Sequence, residues 1–149
     1  MTVKQQLYQH CAEYVQQRLN TIENTIQSHQ KALSSETKSS AGDKHETGRA
    51  MLQLEMEKAG QQLASVQQMK EILAKIDPTK PSSIVSLGAI VNTSLGTYFL
   101  SISAGQLQVD KDVFFAISAS SPIGKLLLGK KEGDALVWNG RKIEIHYIS

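Results

Sequence analysis

Two long stretches of this chain carry mostly apolar residues at alternating spacings of four and three, the repeat that favours a coiled coil. They cover residues 3–33 and about 48–76. The first seam consists of Tyr8, Ala12, Val15, Leu19, Ile22, Ile26, His29 and Leu33. The second consists of Leu52, Met56, Ala59, Leu63, Val66, Lys70 and Leu73. Each predicted helix needs a partner along its length, because about 31 helical residues span about 46 Å at 1.5 Å per residue.

The numbering of the two seams predicts how the helices pair. In an antiparallel hairpin, residues that face each other have position numbers with a constant sum, and here that sum is 85. The predicted pairs are Ile26 with Ala59, Ile22 with Leu63, Leu19 with Val66, Val15 with Lys70 and Ala12 with Leu73. The turning point then falls between Gly42 and Asp43. The sequence therefore predicts an antiparallel coiled-coil hairpin over residues 1–77, with a polar loop at 34–47 and an acidic tip near 42–47.

Composition limits the possible classes of function. The 149 residues include 16 Lys and Arg against 14 Asp and Glu, and each half of the chain has one more basic than acidic residue. This balance argues against a basic domain that binds nucleic acid as the main source of affinity. The single cysteine, Cys11, excludes an internal disulfide, and we interpret it as a packing residue. No signal peptide or membrane span is visible, so a cytoplasmic protein is predicted.

The predicted tip carries two carboxylates, Asp43 and Glu46, that no helical partner explains. One interpretation is structural: Asp43 is the N-cap of the second helix and Glu46, three residues later, closes a capping box. The other is a pair of hard oxygen ligands for a divalent cation such as Mg²⁺. Because Mg²⁺ requires more oxygen ligands than two carboxylates provide, a partner would have to supply the rest.

The C-terminal half has a different periodicity. Proline-rich residues 78–83 predict a linker, and residues 84–149 predict an antiparallel β-sheet domain. The predicted strands are 84–91, 97–103, 113–118, 135–138 and 141–148. Asn139-Gly140 predicts a tight hairpin between the last two strands. Alternation in the final strand places Ile143, Ile145 and Tyr147 on one face.

One short helix is predicted between the third and fourth strands. Ser121 suits its N-cap, Pro122 its first position and Gly129 the residue beyond its end. The predicted fold is therefore α+β, with a helical hairpin followed by a sheet domain that carries one short helix.

Two segments resemble a known family. Gly42-Asp43-x-x-Glu46 on a coiled-coil tip resembles the acidic motif of the Gre-type (GreA and GreB) transcript cleavage factors of bacterial RNA polymerase. The run 117–134 is similar to the signature of that family's C-terminal domain, which is a Ser-Pro turn, an apolar helix and then Gly-Lys-Lys-x-Gly-Asp. The two segments occur in the family's order and at about its spacing.

This resemblance implies both a fold and a function. The C-terminal domain would be similar to the FK506-binding prolyl isomerases, without their activity, and would dock on the rim of the secondary channel of RNA polymerase. The residues assigned to docking are Ser120, Ser121, Pro122, Ile123 and Gly124. Asp43 and Glu46 would help to hold a Mg²⁺ ion shared with the polymerase and used to cleave backtracked RNA near its 3′ end. The protein would be a monomeric accessory factor rather than an enzyme, with no cofactor bound on its own.

The tip also departs from the family pattern Gly-Asp-Leu-Ser-Glu-Asn. Lys44 and His45 replace Leu-Ser, and Thr47 replaces the final Asn. Basic side chains beside the carboxylates would weaken their hold on Mg²⁺, although Lys44 or Arg49 could instead face RNA phosphate. Two alternatives therefore remain open, a regulator that binds the polymerase without promoting cleavage and a coiled-coil protein that associates with itself.

Overall fold

The computed structural model describes the backbone of residues 1–38 and 42–149, and the side chains of residues 1–35 and 47–149. Its helices are α1 (Val3–Lys38), α2 (Gly42–Ala74) and α3 (Pro122–Leu127). Its strands are β1 (Ile90–Thr93), β2 (Thr97–Ser101), β3 (Gly105–Val109), β4 (Asp112–Ser118), β5 (Ala135–Trp138) and β6 (Arg141–Ile148). Two compact units are present: unit 1 comprises Met1–Tyr14 with Lys70–Ser149, and unit 2 comprises Val15–Met69. The predicted α+β class, with a helical hairpin and a sheet that carries one short helix, is confirmed.

The two long helices extend further than the sequence predicted. α1 continues past residue 33 to Lys38, and α2 begins at Gly42 rather than at about 48. The predicted polar loop at 34–47 was therefore too long. Serine and threonine weaken a helix by less than about 0.7 kcal/mol each relative to alanine, so a short run of them does not have to end one. Residues 39–41, between α1 and α2, lie outside the described residues.

Unit 2 has the burial pattern predicted for a helical hairpin. Its buried side chains are Val15, Ile22, Ala59 and Val66. Its half-buried apolar seam positions are Leu19, Ile26, Leu33, Leu52, Met56 and Leu63. The three central predicted pairs each combine one buried with one half-buried side chain. A single helix cannot cover its own apolar stripe, so this burial agrees with pairing across the hairpin.

The helical part of unit 1 departs from the predicted seam. On α1, Cys11 is fully buried and Ala12 is exposed. The Cys11 thiol lies 3.7 Å from the Ser101 hydroxyl of β2, so this end of α1 also packs against the sheet. That second contact shifts the buried stripe to Leu7, Cys11 and Val15, in steps of four. The prediction that Ala12 lies on the seam was wrong for this reason, whereas Cys11 packs as predicted.

A similar shift occurs on α2. Lys70, predicted to lie on the seam, is exposed, and Met69 is half-buried in its place. Burying an ammonium group without a partner is costly, whereas the flexible methionine fills a gap readily. The buried stripe then continues through Leu73 and Ile76, and the Tyr8 hydroxyl donates to the Leu73 carbonyl at 3.0 Å. The predicted linker at 78–83 lies inside unit 1, and the predicted domain boundary there stays a prediction.

The sheet contains six strands in the order β3-β4-β2-β1-β6-β5. It is mixed, because β2 and β4 run parallel whereas the other neighbouring pairs are antiparallel. The predicted antiparallel sheet was therefore wrong for one pair, β2 with β4. The reason is β3, a strand that the sequence did not predict, which lies on the far side of β4 and pairs with it. After β2 the chain forms β3 at the edge of the sheet and then turns back into β4, which lies between them. β4 is antiparallel to β3 and therefore runs parallel to β2.

The predicted strand 84–91 is mostly absent. Only Ile90 and Val91 of that segment lie in β1, and Ile84 forms an isolated bridge with Lys131. Gly88 interrupts the segment with a φ of +91°, a conformation that favours glycine. The other end of the sheet follows the prediction, since Asn139 and Gly140 both adopt positive φ, as a tight type I′ hairpin requires.

The final strand carries a bulge. Asn92 pairs with Tyr147 and Thr93 pairs with Ile145, so β6 has one extra residue between these two pairs. One extra residue reverses the alternation of side chains beyond it. Ile143, Ile145 and Ile148 are consequently buried, whereas Tyr147 is 57% exposed. The predicted shared face was correct for Ile143 and Ile145 and wrong for Tyr147.

One hydrophobic cluster connects the sheet to α3. Its buried members are Val85, Ala89, Val91, Tyr98, Leu100, Leu127, Leu136, Ile143, Ile145 and Ile148, with Ile117, Ala119, Ile123 and Trp138 partly buried against it. Leu127 of α3 is completely buried. The short helix is therefore fixed to the sheet by its apolar side. Over the residues described, no helix is both long enough and apolar enough to cross a membrane.

Candidate partner-binding loop

The predicted docking residues lie in one loop, at residues 118–121, and in the first turn of α3. Ser121 is the N-cap of the helix, with an extended backbone at φ −67° and ψ 157°, and Pro122 is the first helical residue. The Ser121 hydroxyl accepts a hydrogen bond from the Gly124 amide at 3.1 Å and donates one to the Ser118 carbonyl at 2.6 Å. It thus satisfies one of the free amides at the helix start, as predicted.

A second serine network holds the loop from the other side. The hydroxyls of Ser118 and Ser120 are 2.8 Å apart, and the Ser120 amide donates to the Ser118 hydroxyl at 3.1 Å. The Ser121 amide also donates to the Ser118 carbonyl at 3.1 Å. The loop is therefore fixed by its own hydrogen bonds, and it leaves the side chains of Ser120 and Pro122 exposed.

Gly124 is the residue that the loop can least replace. It is buried, and a Cβ built on it would lie 2.1 Å from the Ser118 carbonyl oxygen and 2.9 Å from the Ser121 hydroxyl. Real Cβ atoms do not approach backbone this closely. The close approach of the helix to Ser118 therefore depends on the missing side chain.

The exposed residues of this segment form what we call the α3 surface: Ser120, Pro122, Lys125, Leu126 and Leu128. The two leucines are 39% and 40% exposed, whereas Leu127 between them is buried in the core. Ile123 is half-buried against the hydrophobic cluster. Of the predicted docking residues, Ser120 and Pro122 are thus free to touch a partner, whereas Ser121, Ile123 and Gly124 mainly build the loop.

The charged part of the C-terminal signature has a structural role that sequence reasoning did not identify. The Asp134 carboxylate accepts from the Lys131 amide at 2.8 Å, and the Glu132 carboxylate accepts from the Ile148 amide at 3.1 Å. Gly133 between them has a φ of +86°. The Asp134 bond closes the turn after α3, and the Glu132 bond ties that turn to β6. The sequence signal for this turn was Glu132-Gly133-Asp134, because Asp and Gly are typical of turns.

The side chains of the predicted metal ligands, Asp43 and Glu46, lie outside the described residues. The start of α2 at Gly42 makes Asp43 the second helical residue, so the predicted N-cap role does not fit. Two carboxylates suit Mg²⁺ in kind but not in number, because the ion prefers six oxygen ligands. Among the described side chains, no group of three or more His, Cys, Asp or Glu could hold a metal ion.

The hydrogen bonds of Ser121 predict a measurable loss on truncation. Ser121→Ala is expected to lower the free energy of unfolding by about 1 kcal/mol, in the range of about 0.5–2 kcal/mol for a lost N-cap. The measurement is a urea unfolding curve. The matched control is Ser83→Ala, an exposed serine outside α3, which is expected to change stability by less than about 0.5 kcal/mol. Equal midpoints for the two variants would contradict the capping role.

Comparisons with known proteins leave the family unassigned. No family model matches the chain, and no curated protein matches it. One solved structure, described as that of the transcription factor Gfh1, aligns with 91% of this chain and 89% of its own, at 22% identity and a TM-score of 0.36.

Proposed function

We propose that this protein is a Gre-like transcription elongation factor that binds RNA polymerase at its secondary channel and promotes cleavage of backtracked RNA. The observation that carries the proposal is the 117–134 signature, because each of its parts has a defined place in the loop, in α3 or in the turn after α3. The acidic pair in the predicted tip motif is the second support. A nearly neutral chain, with a net charge of +2, fits a factor that acts through a protein partner rather than through nucleic acid.

Docking would use the α3 surface. Interfaces of this kind combine apolar anchors with a polar rim, and Pro122, Leu126 and Leu128 offer apolar contacts beside Ser120 and Lys125. The loop is fixed by hydrogen bonds before binding, so little conformational entropy would be lost on docking. These features support a preformed protein-binding surface.

The tip would supply chemistry that the protein does not complete alone. Asp43 and Glu46 would hold Mg²⁺ together with oxygen ligands of the polymerase. A second Mg²⁺ held there would stabilise the attacking and leaving oxygens of phosphodiester hydrolysis. The protein would thus be an accessory factor, and the hydrolytic activity would remain that of the polymerase.

The test of docking is a substitution on the α3 surface. Pro122→Glu is expected to weaken binding to purified RNA polymerase by about tenfold or more, because an unpaired carboxylate would be desolvated in the interface. The helix should survive, since an acidic residue is favourable in a first turn. Gln106→Glu is the matched control, because it adds the same charge at an exposed position of β3. β3 is the edge strand opposite β5, and β5 is the strand that α3 contacts. Wild-type protein that fails to bind polymerase at all would refute the proposal.

A second candidate is a channel-binding regulator that does not promote cleavage. It is favoured by the altered tip, where Lys44 and Arg49 add positive charge near the carboxylates. Wild-type protein added to a backtracked complex decides between the two, because only the cleavage factor shortens the RNA. Binding without shortening would establish the regulator.

Self-association is a third candidate. Met51 and Leu54 are 63% and 64% exposed and three residues apart on α2, so they offer an apolar contact outside the hairpin seam. Sedimentation over a range of concentrations distinguishes it, since a Gre-like factor is expected to remain a monomer.

A further inference from the structure

A cavity of about 570 Å³ lies within unit 1, away from the loop described above. It is bordered by the start of α1, by residues 78–81, and by strands β1, β2, β4 and β6. The residues around it are Thr2, Val3, Lys4, Pro78, Thr79, Lys80, Pro81, Ile90, Asn92, Thr97, Asp112, Val113, Phe114, Tyr147 and Ser149. Its volume falls in the range of about 300–1,000 Å³ that is usual for small-molecule sites.

The cavity is bordered by a buried charged side chain. Lys4 is only 7% exposed, although lysine is almost never buried without a partner of opposite charge. Its ammonium donates to the Lys80 carbonyl at 2.8 Å and reaches the Ser82 hydroxyl at 3.5 Å. Among the side chains that the structure describes, no carboxylate forms an ion pair with it. Burial accordingly lowers the pKa of Lys4.

A purely structural role does not account for the charge of Lys4. The bond to the Lys80 carbonyl ties residues 78–82 to α1, but a neutral amide could make the same bond. That carbonyl and the more distant Ser82 hydroxyl are both uncharged. An anion beside the ammonium would add a charge-assisted bond stronger than those from these two neutral acceptors, and the adjoining cavity has room for one.

The remaining walls indicate what kind of anion would fit. Ile90 is 7% exposed and Phe114 is also 7% exposed, so both present apolar surface well below the protein exterior. Asn92 and Thr97 are joined by a hydrogen bond of 2.9 Å and add polar groups to the same wall. The lining also includes two exposed charged side chains, the acidic Asp112 and the basic Lys80.

We propose that this cavity binds a small organic anion, with its carboxylate or phosphate group against the Lys4 ammonium and its flat apolar body against Ile90 and Phe114. The cavity shares no lining residue with the α3 surface, and the proposal does not depend on the function proposed above.

Calorimetric titration of the full-length protein tests the ligand class. Benzoate and phenyl phosphate carry the two candidate head groups on the same ring, benzyl alcohol is their neutral counterpart, and inorganic phosphate lacks the ring. At least one of the two ring anions is expected to bind saturably, with an affinity about tenfold or more above that of benzyl alcohol and of inorganic phosphate. A charge-assisted hydrogen bond changes affinity by about this factor. Whichever ring anion binds more tightly identifies the head group. Binding of neither, or equal binding of all four probes, would overturn the proposal.

Two variants locate the site. Lys4→Met keeps the length of the side chain and removes its charge, and it is expected to weaken the ring anion about tenfold or more. Lys31→Met removes the same charge from an exposed position of α1 and is expected to bind like the wild type. Val113→Trp fills the cavity from a half-exposed wall position without altering Lys4, so it tests the site even if Lys4→Met fails to fold. Unchanged affinity in Val113→Trp would place the anion elsewhere and refute the proposal.

Discussion

The double substitution Asp43→Asn with Glu46→Gln is expected to abolish cleavage of backtracked RNA by the polymerase while leaving polymerase binding intact. Both changes keep the size of the side chain and remove the negative charge that, in the proposed function, would hold Mg²⁺. A metal ion contributes several kcal/mol of transition-state stabilisation, so the cleavage rate should fall by about 100-fold or more. The measurement is the rate of transcript shortening in a defined backtracked complex, with affinity measured in parallel.

The matched control for this experiment is Glu55→Gln with Glu57→Gln. These carboxylates are exposed on the same helix, and their removal changes the net charge equally. The control is expected to cleave at the wild-type rate, which separates loss of two particular ligands from a general loss of negative charge on α2. If the tip variant still supports cleavage at the control's rate, the tip carboxylates are not ligands, and the regulator without cleavage becomes the better proposal.

Among the glycines whose surroundings the structure describes, Gly124 is the one at which substitution by alanine is expected to lower stability most. The new Cβ would lie 2.1 Å from the Ser118 carbonyl oxygen, so either α3 or the loop must move. Movement of α3 would disturb the packing of Leu127 and the capping bonds of Ser121 together. Overpacking in a core costs about 1–3 kcal/mol, and a lost cap adds about 1 kcal/mol, so we expect a loss of about 2–4 kcal/mol in urea unfolding.

Gly60 provides a control at which the same substitution is expected to change stability in the opposite direction. Gly60 is an exposed glycine within α2, and a Cβ built on it meets nothing within 4 Å. Gly60→Ala is therefore expected to raise stability, by up to about 1 kcal/mol, because alanine is the better helix former. Stability of Gly124→Ala within about 0.5 kcal/mol of the wild type would show that the loop relaxes without cost.

Several features of the fold were predictable from residues close together in the sequence. The alternating spacings of α1 and α2 predicted a helical hairpin, because helical periodicity is set within a few turns. The N-cap at Ser121 and the turn at Asn139 and Gly140 were also predicted correctly, since each depends on the conformation of two to four neighbouring residues. Within the candidate site, Ser121 and Pro122 were identified from the same local signals.

Other features were not predictable because they depend on residues far apart. β3 carries only two apolar residues, Leu107 and Val109, so its pattern is too weak to predict a strand before β4 is there to pair with it. The extents of α1 and α2 were underestimated because local propensities are small against the packing of whole helices. The role of Gly124 could not be predicted either, because the amino-acid sequence does not reveal how closely the Ser118 carbonyl oxygen approaches the Gly124 backbone.

The sequence alone thus determined the helical hairpin, the change to a sheet domain, the helix cap and the final hairpin turn, because each is decided by interactions between near neighbours. Only the tertiary structure decided the parallel pairing of β2 with β4 and the bulge that exposes Tyr147. It also decided that Met69 rather than Lys70 is half-buried on α2, and that Lys4 is buried beside a cavity. In these cases the environment of a side chain is created by segments distant in the chain. A shift of one residue in their register exchanges a buried side chain for an exposed one.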